Sequence, residues 1–277
     1  VDRADVSVAS IDTRAHVVPV PGARLHVEVQ GTGPDVLFIG GSNWDLRVNR
    51  HAFGWLPGHR IVTFDHRGLG RSRPDDTHTP FTIAEFARDA VAVLDALGIG
   101  QASVVGYSFG AMVAQHLAAT APERTVRLAL IAAGPGGPLA SWPIHELAEL
   151  PNEQRARRLL EIQDLRVGER GAARADVAAQ ARRLHEAAGR SPQNGPARLL
   201  AARADHDARA LLPLIDTDTT VIAGRHDGQA PLAITEALAA GISGARLLVL
   251  PGGHGFIADP DGPLSHLARL WHGDPVA

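Results

Sequence analysis

Gly106-Tyr107-Ser108-Phe109-Gly110 sets a serine between two glycines, directly after the apolar run Ser103-Val104-Val105 and directly before a helical stretch, Phe109–Thr120. A serine on so tight a strand-to-helix turn projects its hydroxyl above the sheet, and the glycines allow close backbone approach. The N–H of Phe109 then lies at a helix amino terminus, where it can stabilise a negative oxygen. A serine nucleophile needs a base, and the base needs a group that orients it. Asp227 follows the apolar segment Thr219–Gly224, in Arg225-His226-Asp227-Gly228. His254 follows Ala245–Leu250, in Pro251-Gly252-Gly253-His254-Gly255. Parallel strands bring such loops to one edge of a sheet, where ligands collect. Any one of the three alone reads equally as a polar loop residue, and the chain has 14 histidines. Their order, each just past a strand, points jointly to acyl transfer through a serine.

The segments that must position these residues alternate. Arg24–Gln30 alternates polar and apolar, is followed by the turn signal Gly31-Thr32-Gly33-Pro34-Asp35, and then by Val36–Ile39, a pattern that predicts a β-hairpin. Arg60–Asp65 predicts a further strand. Thr82–Leu97 carries Ile83, Phe86, Ala87, Ala90, Val91, Leu94 and Leu97 at helical spacing, with Thr82 and Glu85 as a capping box and Gly98 as the stop. Ala102–Tyr107, Thr125–Ala132, Thr219–Gly224 and Ala245–Leu250 predict strands, and Phe109–Thr120, Ala230–Ala240 and Pro263–Trp271 helices, with Pro231 suited to a first turn. This alternation predicts a mostly parallel, doubly wound sheet with helices on both faces. From Gly134 to about Leu212 no strand is predicted, and arginine-rich amphipathic helices broken at Gly189–Pro196 take over. Residues 1–133 and 213–277 are therefore expected to form an α/β core, and 134–212 a helical cap inserted into it.

Two zeros in the composition narrow the chemistry. The chain of 277 residues contains no cysteine, and its 27 basic residues are all arginine. Disulfides, thiol nucleophiles and Cys-ligated metals are excluded, as are Schiff-base lysines and the P-loop. A hydroxyl, a carboxylate or an imidazole remains. Codon bias in a GC-rich genome accounts for the missing lysine, and the chemical exclusions hold regardless. A net charge of −3 gives no basic face for nucleic acid or an anionic membrane. No apolar run approaches the roughly 20 residues of a membrane span. Val1–Ala15 lacks the apolar core of a signal peptide. It begins with Val, which is compatible with a processed or trimmed start, and a cytoplasmic location is the default expectation.

Over nearly its whole length the chain resembles α/β-hydrolase-fold enzymes, and most of all the 3-oxoadipate enol-lactonase-like esterases and lactonases. The resemblance is carried by Leu37–Arg47, Phe64–Ser72, Val104–Gln115, Gly224–Pro231 and Pro251–Phe256. It implies a cofactor-independent serine hydrolase with Ser108 as nucleophile, Asp227 as acid and His254 as base, in that chain order. It also implies a second oxyanion donor, the backbone N–H of Ser42. Many members carry His-Gly in that loop; here it reads Gly40-Gly41, which keeps a backbone donor but removes a side chain that braces the loop. Arg67, Gly68, Gly70 and Ser72 are expected by the same resemblance to shape a structural turn, with Asp65 structural rather than catalytic. Dehalogenases and epoxide hydrolases of this fold carry aspartate where this chain has Ser108.

Other motifs are weaker. Gly68-Leu69-Gly70-Arg71-Ser72-Arg73 lacks the third glycine of a dinucleotide site, and His145-Glu146 and His185-Glu186 lack the second histidine of a zinc motif. Asp205-His206-Asp207 reads as a solvated run entering a helix rather than a metal site, so no metal is expected. Trp44 and Trp142 either line an acyl pocket or pack in the core, with Tyr107 a further pocket candidate. An anionic substrate would have to be met by arginine or histidine, with Arg225, His226 and the insertion's arginines as candidates. The expected partner is a small-molecule ester or lactone, and a homo-oligomer is compatible with the sequence. A carbon–carbon bond hydrolase, a non-hydrolytic enzyme and a ligand receptor that retains the three residues are the alternatives.

Overall fold

The computed structural model describes residues 13–42, 45–47 and 54–272. Among these a nine-stranded sheet forms the centre, in the order β1-β2-β4-β3-β6-β7-β8-β9, with the short β5 beside β2. The strands are β1 (Thr13–Val20), β2 (Ala23–Gln30), β3 (Asp35–Ile39), β4 (Arg60–Phe64), β5 (Arg73–Pro74), β6 (Ala102–Tyr107), β7 (Thr125–Ile131), β8 (Thr219–Gly224) and β9 (Arg246–Leu250). From β4 through β9 the main path is parallel; β1 and β2 run antiparallel to their neighbours.

Strand side chains alternate between two cores, as the pleat dictates. Leu37, Ile39, Val104, Leu128, Leu130 and Val221 face one cluster, shared with α1 (Ile83–Ala96), α2 (Phe109–Thr120) and α7 (Leu232–Gly241). Val36, Phe38, Val105, Ala129, Ile131 and Ile222 face the other, which is shared with α8 (Pro263–His272). Both faces of the sheet are thus covered. The predicted start of α1 is present: Thr82 accepts from the Glu85 N–H, and the Glu85 carboxylate accepts from the Thr82 N–H. No helix among the described residues is long and apolar enough to cross a membrane.

The predicted β2–β3 hairpin does not form. β4 lies between the two strands, and β2 forms its hairpin with β1, Val20 facing Ala23. The turn signal at Gly31–Asp35 is real, but Gly33, at φ 116°, packs its backbone onto Gly58 just before β4 rather than turning β2 onto β3. β1 escapes the hydrophobic pattern because it is an edge strand: Pro19 is tolerated there, and Val17 is exposed while Val18 and Val20 are buried.

Between β7 and β8 the chain forms α3 (Asn152–Gln163), α4 (Leu165–Arg170), α5 (Arg174–Arg190) and α6 (Gly195–Ala204). The two ends of this stretch meet, with the Gly137 N–H donating to the His206 carbonyl at 2.9 Å and the Ala208 N–H to the Pro135 carbonyl at 2.8 Å. Ile144, Leu147, Leu159, Ile162 and Leu200 form a small apolar cluster of their own. The long α5 buries a single residue, Val177.

Candidate active site

The chain leaves β3 for β4 on one side and returns for β6 on the other, so the strand order reverses between β3 and β6. Crevices at such a reversal, beyond the carboxyl ends of the strands, are where α/β sheets bind ligands. Ser108 stands there. It has φ 53° and ψ −116°, a conformation that costs a non-glycine residue about 1–3 kcal/mol and is held by its surroundings. Its N–H donates to the Ile131 carbonyl at 2.8 Å. The turn closes this tightly because a Cβ at Gly106 would meet the Gly110 carbonyl at 2.5 Å, and one at Gly110 would overlap the Ile39 carbonyl. The start of α2 is thereby pressed against the end of β3.

Two loops, those that follow β8 and β9, meet this serine. Ser108 Oγ lies 2.9 Å from His254 Nε2, and His254 Nδ1 lies 2.8 Å from Asp227 Oδ2. A carboxylate only accepts, so Nδ1 carries the proton and Nε2 presents its lone pair to the serine. The other Asp227 oxygen accepts from the Gln229 and Ala230 N–H groups, each at 2.8 Å, which fixes the carboxylate plane. All three residues are buried. Tyr107 donates its hydroxyl to the His254 carbonyl at 2.8 Å, and burial, with Asp227 nearby, pushes its phenol well above the usual range.

A cavity of about 360 Å³ opens over Ser108, with Ser42, Tyr107 and His254 in its wall. Phe109 opens α2, and the first N–H groups of a helix have no partner within it. The loop carrying Ser42 is braced after all, by a residue that the sequence reading passes over. His66 Nε2 lies 2.8 Å from the Gly40 carbonyl, and the ring packs edge-on against Phe64, Phe86 and Phe109. Since a carbonyl only accepts, Nε2 carries the proton. Burial pulls the imidazole down to about 4, so it stays neutral at pH 7. The signal available was a histidine directly after a strand end, in Asp65-His66-Arg67. Its neighbour Asp65 accepts from the Leu46 and Arg71 N–H groups, each at 2.8 Å, which ties the turn to the loop beyond β3. Arg67 makes a two-pronged pair with Asp89.

Other expected positions fall elsewhere. Trp44 lies outside the described residues. Trp142 is not in the cavity wall; its side chain packs on the small apolar cluster of the insertion, where indole area is buried. Arg225 and His226 also stay out of the wall, and among the described residues the arginines that reach it are Arg183 and Arg190 of α5. Arg190 bridges to Asp45 at 3.0 Å, whereas Arg183 Nη2 donates to the neutral Gln180 at 2.7 Å. Asp205-His206-Asp207 leaves α6 rather than entering a helix. Its aspartates are exposed but His206 is buried, because the two ends of the insertion close over it. Among the described residues no group of three or more His, Asp or Glu is placed to hold a metal ion. Gln229, two residues after Asp227, is a further cavity residue without a sequence motif: its side-chain nitrogen lies 2.8 Å from His254 Nε2.

Residues 45–261 match the family model described as alpha/beta hydrolase fold. Among curated relatives, the carbamate hydrolase candidate RutD of Azorhizobium caulinodans is 36% identical over 110 residues, 39% of this chain and 41% of that one. The rhodomycin D methylesterase DauP of Streptomyces sp. strain C5 is 45% identical over 106 residues, 36% of this chain and 35% of that one. Each of these alignments spans less than half of the relative's own length. Among solved structures, Est816, an N-acyl homoserine lactone degrading enzyme, superposes with a TM-score of 0.74 at 25% identity, over 93% of this chain and 99% of that one.

Proposed function

The chain belongs to the α/β-hydrolase fold family, and on that premise we propose that it is a serine hydrolase cleaving a small carboxylic ester or lactone through an acyl-enzyme intermediate. The observation that carries this reading is the continuous contact from Ser108 Oγ through His254 to Asp227, at 2.9 and 2.8 Å, at the floor of a cavity. His254 Nε2 takes the serine proton as Oγ attacks the carbonyl carbon. Asp227 keeps the imidazole in the tautomer that can accept this proton and stabilises the cation that results. The N–H groups of Ser42 and Phe109 hold the tetrahedral oxyanion. His254 passes the proton to the leaving oxygen as that bond breaks. A water then attacks the ester, gives its proton to His254, and frees the acid as Ser108 recovers the proton. The reaction consumes one water, and no step draws on a cofactor.

Residues of α5 and of the end of α3 line the cavity, which supports a role for these helices in choosing the substrate. The likeness to a methylesterase and a lactone-degrading enzyme favours ester and lactone carbonyls over the alternatives. Replacing Ser108 by Ala is expected to lower kcat on a short aryl ester by a factor on the order of 10⁶, measured on folded protein against the unchanged chain. Activity within about tenfold of the parent would contradict a serine nucleophile.

A further inference from the structure

His254 Nε2 faces two side chains. Ser108 Oγ stands at 2.9 Å and the Gln229 side-chain nitrogen at 2.8 Å. With the imidazole proton on Nδ1, both neighbours are donors to a single lone pair. Gln229 is 2% exposed and held at every polar group. Its N–H donates to Asp227, its carbonyl accepts from the Trp142 N–H at 2.7 Å, and its side-chain oxygen accepts from Gln163 Nε2 at 3.3 Å. Gln163 ends α3, whose carboxyl end sits on the Asp227 loop, where the Leu165 N–H donates to the His226 carbonyl at 2.9 Å. Both glutamines line the cavity. A primary amide is therefore aimed at the one atom that shuttles the proton, with its nitrogen inward because Gln163 holds its oxygen.

We propose that Gln229, oriented by Gln163, positions the water that deacylates Ser108, an inference that rests on the serine-ester reading above. Once acylated, Ser108 has no proton to offer, and a water O–H takes the serine's place at the Nε2 lone pair, beside the Gln229 amide. The Gln229 N–H beside Nε2 donates to that water's oxygen, which leaves the second oxygen lone pair for the acyl carbon. The new C–O bond forms as the water proton passes to Nε2, and that proton goes to Ser108 Oγ as the serine ester bond breaks. In acylation the serine supplies its own donor to Nε2, so Gln229 has no such task there. Gln229 is thus a positioning residue for one of two half-reactions, coupled through Gln163 to the helices over the cavity.

The test separates the half-reactions by stopped-flow with p-nitrophenyl acetate and intact-protein mass spectrometry. Gln229→Leu is expected to slow deacylation by about 30- to 100-fold while acylation changes by less than about threefold, so that acetylated Ser108 accumulates. Gln163→Leu, which spares the loop backbone, is expected to give the same bias at about three- to tenfold and serves if the first variant does not fold. Equal losses in both steps, or unchanged deacylation, would overturn the inference while leaving the serine-ester reading intact. Absence of an acetyl-Ser108 intermediate from the parent chain, trapped at low pH, would overturn that reading and this inference with it.

Discussion

The loops at the strand ends and the helices between β7 and β8 are held by different kinds of contact. Ser108, Asp227 and His254 sit on the sheet, buried, with nearly every polar atom tied to a neighbour through short hydrogen bonds. By contrast α5 buries one residue, rests Leu184 on the small apolar cluster, and is tied to the loop beyond β3 by a partly buried ion pair, Arg190 to Asp45 at 3.0 Å. A helix that buries so little apolar area is held less firmly than a loop whose polar groups are buried and hydrogen-bonded. The residues of the proposed reaction are therefore placed by the more firmly held part of the molecule, and the helix over the cavity by the less firmly held part. Sites built this way keep one chemistry while the roof sets what enters.

That contrast can be broken at the core first. Asp227→Asn keeps the shape of the loop but removes the charge and favours the wrong imidazole tautomer; kcat on an aryl ester is expected to fall by a factor on the order of 10⁴. A loss smaller than about tenfold would mean that Asp227 does not orient His254. His66→Ala removes the brace on Gly40 and leaves Ser42 free to shift. The expected loss is about 10²-fold in kcat with KM nearly constant, since an oxyanion donor acts on the transition state. A rise in KM alone would place His66 in binding instead.

The roof gives smaller effects. Arg183→Gln is expected to raise KM for an anionic ester about three- to fivefold relative to its neutral analogue, the scale of an exposed charge contact. An equal change for both esters would remove Arg183 from charge recognition. Acid should weaken both regions. Burial lowers His66 to about 4, while burial together with His116 lowers His206, at the base of the insertion, to about 3. Between the ordinary histidine value of about 6.5 and these values the unfolded chain binds more protons than the folded one. Stability is thus lost as pH falls from about 6.5 toward 4, with a slope of at most about 1.4 kcal/mol per pH unit for each histidine. Urea unfolding of His66→Asn and His206→Asn across this window should each show a flatter slope than the parent.

The sequence shows the site where the chemistry coincides with regular structure. Ser108, Asp227 and His254 each follow an apolar strand, so their convergence on one sheet edge can be read from order alone. The β2–β3 pairing is misread because a turn signal reports that the chain reverses, not which strand it will lie beside, and β4 arrives from farther along to take the place. His66 and Gln229 stay hidden for a different reason. Neither belongs to a spacing pattern, and each acquires its partner, the Gly40 carbonyl or His254, through loops that meet only after the sheet forms. The tryptophans illustrate the limit of residue type: Trp142 supplies apolar area to the insertion's own cluster, away from the cavity.

The most direct measurement is labelling of the folded chain with a fluorophosphonate, which reports an activated serine without requiring its substrate to be known. One adduct per chain, mapped to Ser108 and absent from His254→Ala, is the predicted result. A folded chain that takes up no label, or that carries it on a different serine, would contradict the proposal that Ser108 is the nucleophile.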